Sequence, residues 1–293
     1  MAAGLTIVVT CTDRKSLPVT QRLSFGDVPS TSPSERAREW RERLRLGADP
    51  RPLASLYQGE QWKESLVLAR VARGEGFEPT VVVASAGLGL LALESQAPAY
   101  SATFSPGKPD AVAHNMEEAA AWWEQLADAP QALNLASLRG RVLLVLSRNY
   151  ALALARDLAE LGASGAEAAL VGGAAEIPGI TRVPSDASLR RRLGGTLGSL
   201  NQRMANHFLQ LSCGPADWLS GDHLQRWNSW ASEARHKEVF DRHRGSDPEV
   251  RAWIQAMIAD EPLSASGALR EYRRQGNACE QSRFGRLYRE VVM

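Results

Sequence analysis

The chain has 293 residues, 44% apolar and 23% charged, a composition that belongs to folded protein and not to a disordered tail. Its 34 Lys and Arg stand against 33 acids, and a net charge of +1 does not by itself predict a nucleic-acid partner. No run of about 18 apolar residues exists, so no spanning helix is expected, and Cys11, Cys213 and Cys279 lack the paired spacing of a disulfide framework or zinc site, which suits a reducing cytoplasm.

In chain order, Met1–Thr10 lacks a basic leader and a cleavage site, and Leu5–Thr10 (LTIVVT) reads as a first buried strand. Residues 16–52 are polar and rich in Pro, Ser and Arg, which predicts a surface insertion with one charged helix, Ser34–Leu46. Glu60–Arg73 has helical spacing, Thr80–Ser85 (TVVVAS) is a second strand, and Ser85–Gly89 reads as a turn. Helix Met116–Ala127, strand Val142–Ser147, helix Tyr150–Leu161 and strand Ala168–Gly172 follow. Strands alternating with helices predict βαβ units: an α/β fold with a four-stranded parallel sheet flanked by helices. Ser188–Leu211 reads as one long helix after the start signals Pro184-Ser185-Asp186. A boundary falls near Cys213-Gly214-Pro215. It divides an α/β domain, 1–213, from an all-helical, Arg-rich module, 214–293, with helices at His223–His243, Pro248–Ala259, Ser266–Gln275 and Cys279–Val291.

Ligands of open parallel sheets sit beyond the carboxyl ends of the strands. Those ends carry Cys11-Thr12-Asp13-Arg14-Lys15, Ser85-Ala86-Gly87, Ser147-Arg148-Asn149-Tyr150 and Gly172-Gly173, all small, polar or flexible. Asp13 beside Arg14 and Lys15 is either a water-activating carboxylate or a turn cap. Cys11 is either a nucleophile or a small buried residue. Tyr57 and Tyr100 either stack on a flat ligand or pack internally. The Ser85–Gly89 turn lacks the Gly-Lys-Ser/Thr of a phosphate loop, and the five histidines lie away from the strand ends, which disfavours nucleotide triphosphate chemistry, a His-based triad and a zinc site. Five arginines fall between Arg182 and Arg203 and six after Ser264. Such clusters either track a phosphate backbone or form solvated helix faces, as the spacing of Arg286 and Glu290 allows.

Taken together, V-V-T-C-T-D-R-K at 8–15, L-Y-Q-G-E-Q-W at 56–62, A-S-A-G-L-G-L-L at 84–91 and Tyr100 resemble the CS-x-x-K / Y-x-G / SA-x-x-GL pattern. That pattern marks a bacterial family related to YaaA-type DNA-binding proteins and to the glycosylase-like domain of archaeosine synthases. L-G-G-T-L-G-S-L-N-Q-R at 193–203 and the stretch 268–284 are similar to its tail and its helical module. Within this group the chain most resembles antiviral DNA glycosylases acting on glucosylated 5-hydroxymethylcytosine in phage DNA.

The resemblance implies a uracil-DNA-glycosylase-like sheet, order 2-1-3-4, and excision of a flipped base. Asp13 and Asn149 would be catalytic. Cys11, Tyr57, Ser85, Gly87, Tyr100 and Arg148 would bind the base. Lys15, Arg190, Thr196, Ser199, Asn201, Arg203, Arg270, Arg273 and Arg283 would bind double-stranded DNA. No metal, cofactor or obligate protein partner is expected. The GQDPY and His-Pro-Ser motifs of uracil-DNA glycosylases are absent, and Val183-Pro184-Ser185 echoes the second only in part, so Arg148 or Asn149 would have to stabilise the leaving base. Two other functions fit the same residues: a non-catalytic DNA-binding protein of this fold, and a nucleoside or dinucleotide N-ribosyl hydrolase.

Overall fold

The computed structural model describes residues 3–29, 32–127, 131–236, 243–260 and 263–292. The chain forms two compact units, Met1–His236 and Lys237–Met293. The first holds a sheet of β1 (Ala3–Thr10), β2 (Phe77–Ser85), β3 (Gly89–Ala92), β4 (Arg141–Leu146), β5 (Glu167–Gly172) and β6 (Ile180–Val183), in the order β3-β2-β1-β4-β5-β6. Every neighbouring pair is parallel except β2 with β3, a hairpin. The expected four-stranded sheet is therefore six-stranded. The four apolar runs are its adjacent central strands, buried along most of their length because helices cover both faces. The two added strands are short edges: β3 begins at Gly89 (φ +78°) inside what reads as a turn, and β6 has only four residues.

The α-helices of more than one turn in this unit are α1 (Pro33–Arg45), α2 (Glu60–Gly74), α3 (Met116–Ala127), α4 (Arg148–Ala153), α5 (Ala155–Ala163), α6 (Leu200–Gln210) and α7 (Gly221–Ala234). Ser32 and Glu35 cap α1 reciprocally, with Pro33 in the first turn. The helix is not a surface appendage, contrary to the expectation for 16–52. Trp40 is fully buried, Phe25 packs edge-on against both Trp40 (5.3 Å) and Trp122 (4.8 Å), and the insertion supplies part of the core. The long helix expected over 188–211 is broken into a single turn, Arg190–Leu193, and the helix Leu200–Gln210, because Gly194 and Gly195 adopt φ of +74° and +75°.

The first unit also extends past the expected boundary at 213. His223, Trp227 and Ala231 of α7 are buried, with Trp227 5.5 Å from Phe208 of α6 and the His223 Nε2–H donating to the Phe208 carbonyl at 2.9 Å. The second unit contains α8 (Asp247–Asp260), α9 (Ala265–Arg274) and α10 (Gln281–Val292) around Val250, Ile254, Leu269, Tyr272, Phe284 and Leu287. Part of the helix expected over His223–His243 lies outside the described residues. No helix among the described residues is long and apolar enough to cross a membrane.

Crossovers between parallel strands are right-handed. The one from β1 to β2 through α2 and the one from β4 to β5 through α5 run in opposite directions across the sheet, so α2 and α5 cover opposite faces. The winding direction reverses between β1 and β4, and the carboxyl ends of these two strands are where open sheets of this kind bind ligands.

Candidate functional site

β1 and β4 pair with Val9 opposite Val145, so Cys11–Lys15 and Ser147–Tyr150 leave the sheet side by side at the reversal point. Ser147 starts α4, its hydroxyl accepting from the Tyr150 N–H. Tyr150 then reaches across, its hydroxyl 3.1 Å from the Cys11 Sγ. The chain after β1 is zipped to residues 56–58: Ser16 N–H donates to the Leu56 carbonyl (2.8 Å), Gln58 N–H to the Arg14 carbonyl (2.9 Å) and the Thr12 hydroxyl to the Gln58 carbonyl (2.9 Å). This pairing brings Tyr57 to the strand ends. Gly59 follows at φ +102°, a conformation that favours glycine, and opens α2.

A directed set of hydrogen bonds forms the floor. The Ser85 hydroxyl oxygen accepts from the N–H groups of Gly87 and Leu88, both at 3.1 Å. Its lone pairs are thereby occupied, so its proton goes to the Tyr100 hydroxyl, which in turn donates to Tyr57 at 2.6 Å. Tyr150 accepts from the Ala86 N–H (3.0 Å), leaving its own proton for the Cys11 sulfur. Burial, reinforced by the nearby Cys11, pushes all three phenols well above their ordinary value, so they remain neutral donors. The indoles of Trp122 and Trp40 donate to the Ala86 and Gly87 carbonyls at 2.8 and 2.7 Å and lock the turn after β2. Gly87 is required there, because a Cβ would sit 2.5 Å from the Tyr100 ring.

Cys11, Tyr57, Ser85, Gly87 and Tyr100 thus share one cluster. Tyr57 and Tyr100 are only 2% and 0% exposed, however, and their rings serve as enclosed structure. Lys15, expected on the DNA backbone, belongs to the same cluster. Its Nζ lies 4.7 Å over the Tyr100 ring and 5.5 Å from that of Tyr57, and donates to the carbonyls of Thr12 (2.8 Å) and Asp13 (3.2 Å). Burial pulls its pKa below the usual lysine value, against the opposing charges of Cys11, Asp13 and Asp110. Asp13 and Arg148 are exposed on the two sides of the reversal point, and Asn149 is half-buried beside Arg148.

The residues expected to hold DNA divide. Arg190 is exposed, as are Arg191 and Arg192 beside it. Thr196 N–H and the Ser199 hydroxyl donate to Glu60 Oε1 at 3.2 and 3.0 Å, while Arg203 bridges Glu60 (3.0 Å) and Glu64 (2.8 Å). The bonds from Ser199, then Arg203 and Thr196, hold the Glu60 carboxyl below its usual range. Asn201 donates to the Leu146 carbonyl at 3.2 Å and fills, with that carbonyl, the space a Cβ on Gly172 (φ +94°) would need. Ser199, Asn201 and Arg203 therefore fasten α6 to α2 and to the strand ends.

In the second unit Arg270 is exposed. Arg273 donates to the Cys279 carbonyl (2.9 Å), and Arg283 pairs with Asp247 and donates to the Gly245 carbonyl (3.0 Å). Arg273 and Arg283 nonetheless border, with Arg244, a cleft of about 490 Å³.

Sequence reasoning missed Tyr150 as a site residue, because its position matches a helix start equally well. It also missed Gln61, which donates to Thr10 Oγ1 at 3.0 Å, and Glu60. Among the described residues no three His, Cys, Asp or Glu side chains gather as a metal site. Comparison of the chain with protein-family models, curated proteins and solved structures finds no match.

Proposed function

We propose that the chain is a DNA glycosylase that removes a flipped, modified cytosine, with glucosylated 5-hydroxymethylcytosine in phage DNA as the substrate the resemblance suggests. The observation that supports this reading is that the segments carrying Asp13 and Arg148-Asn149 leave adjacent parallel strands at the reversal point, next to a cluster of neutral buried phenols. Breaking a deoxyribosyl bond develops positive charge on the sugar and negative charge on the base. Asp13 suits the first, activating water or stabilising the cation. Arg148 and Asn149 suit the second, as donors to the departing base. The Ser85 hydroxyl is already committed to Tyr100, so Ser85 acts in this reading as a positioning residue. Both β1 and β6 run parallel to β4, so residues 184–199 emerge at the same end of the sheet, where the exposed Arg190, Arg191 and Arg192 suit phosphate contacts. The chemistry calls for no cofactor.

The test is incubation with glucosylated-hydroxymethylcytosine DNA and with unmodified DNA, scoring released base by mass spectrometry and abasic sites by alkaline cleavage. Release is expected from the modified DNA alone, and Asp13→Asn is expected to reduce it by about 10²–10³, the usual scale for one lost electrostatic partner. Asp13 is exposed, so this variant should fold. Full activity in Asp13→Asn would overturn the assignment. DNA binding with no release would replace it by a binding protein of the same fold, and turnover of free nucleosides by an N-ribosyl hydrolase.

A further inference from the structure

We propose that Lys15 is a catalytic nucleophile: its amine, held beside Asp13 at the carboxyl end of β1 over the Tyr100 ring, forms an imine with C1′ of an abasic deoxyribose and cuts the strand on its 3′ side. This lyase step rests on the glycosylase reading of the same site. The chain has only four lysines, and Lys15 alone among the described ones sits at the strand ends; Lys63 on α2 and Lys108 are exposed elsewhere. Its ammonium has no carboxylate within ion-pair distance among the described residues. The amine touches two main-chain carbonyls and two aromatic faces, which orient it and by themselves favour the ammonium. Burial opposes them and is the larger influence, pulling the amine below the usual lysine value and so raising the share of the form with a free electron pair.

Base loss leaves deoxyribose whose ring opens to an aldehyde at C1′. The Lys15 nitrogen pair forms the C–N bond, the carbonyl electrons move to oxygen, and a proton passes from nitrogen to that oxygen. A second proton, taken from solvent by the hydroxyl, lets water depart and leaves the protonated imine. The exposed Asp13 carboxylate then takes a proton from C2′, the C2′–H electrons form a C1′–C2′ double bond, and the imine nitrogen accepts the displaced pair as an enamine. That pair returns as the C3′–O bond breaks, and the 3′ phosphate leaves with its electrons. Water finally hydrolyses the unsaturated imine and frees Lys15. No oxidant or reductant enters.

The experiment supplies a duplex oligonucleotide carrying a preformed aldehydic abasic site to the full chain, with and without sodium cyanoborohydride, so it does not depend on base release. The expected results are strand cleavage without alkali, and with the reductant a covalent protein–DNA adduct whose peptide map places the linkage on Lys15. Lys15→Arg, which keeps the cation and its hydrogen-bond donors, should lose both while keeping the wild-type melting temperature. Lys63→Arg should keep both. Linkage at another amine, undiminished trapping in Lys15→Arg, or no adduct from wild-type protein would each overturn the proposal; the peptide map decides it even if Lys15→Arg fails to fold. Release of modified base to intact, alkali-labile sites would sink the lyase and leave the glycosylase standing. A Lys15 adduct on abasic DNA without any base release would do the reverse.

Discussion

At the reversal point, side chains from four other stretches of sequence close around one thiol and one amine, whereas along residues 190–203 the arginines part company. Arg190 to Arg192 face solvent, and Arg203 is tied to Glu60 and Glu64. Both regions look polar and functional in sequence. What separates them is where each polar atom finds its partner: Ser85, Tyr100 and Tyr57 pass one proton order along a chain that ends beside Cys11, while Arg203, Ser199 and Thr196 all end on a single carboxylate that staples α2 to α6. A polar residue is available to a ligand only after its internal commitments are met, and those commitments come from segments 15 to 143 residues away.

The largest effect should come from the buried support of the first region. Trp40→Ala removes a fully buried indole and leaves the Gly87 carbonyl without its donor, and should cost about 3–5 kcal/mol in urea unfolding. A loss below about 1 kcal/mol would return 16–52 to the status of a surface insertion. Gly87→Ala comes next. Its methyl meets the Tyr100 ring at 2.5 Å, so about 1–3 kcal/mol of stability should go together with activity, since the Tyr100 chain must shift. The second region predicts a split. Replacing Arg190, Arg191 and Arg192 by Ala should weaken DNA binding and lower its salt dependence by about one unit per lost phosphate contact, at little cost in stability. Arg203→Met should do the opposite, lowering the melting temperature and leaving the salt slope unchanged, because it strands Glu60 and Glu64 beside each other. Equal effects on DNA binding from the two changes would erase the distinction between exposed and committed arginines.

Much of the frame is legible in the amino-acid order because it rests on local signals. Four apolar runs give the four central strands, and the C-T-D-R-K, Y-Q-G and S-A-G stretches with Tyr100 do meet at their carboxyl ends. Edge strands are harder. β6 (ITRV) is short with a half-buried middle, and β3 hides inside a glycine turn. Long-range pairing is not legible at all: nothing near Arg203 announces Glu60, and nothing in the Pro- and Ser-rich insertion announces that Trp40 will hold the Gly87 carbonyl. Lys15 shows the same limit. In sequence it is one more cation beside Arg14, and only the zipping of 12–16 onto 56–58 lays its amine over Tyr100.

The smallest expected effect concerns α7, where His223 marks the extension of the first unit to residue 236. Its Nε2–H donates to the Phe208 carbonyl and its Nδ1 accepts the Leu219 N–H at 3.2 Å, which fixes the neutral tautomer. Burial lowers its pKa below the ordinary histidine value of 6.5. The unfolded chain therefore binds this proton more readily than the folded one. The stabilisation is complete above pH 6.5 and is lost as pH falls through the lowered folded value. His207, lowered by its own burial and with its ring centroid 3.9 Å from that of the tilted Trp230 ring, adds to the slope in the same direction. In His223→Gln the amide can donate to Phe208 and accept from Leu219, so both bonds survive without the titration. Urea midpoints measured from pH 8 down to pH 5 should fall less steeply for this variant than for wild type. An unchanged slope would mean that α7 does not hold His223 away from protons, and that the first unit ends nearer residue 213.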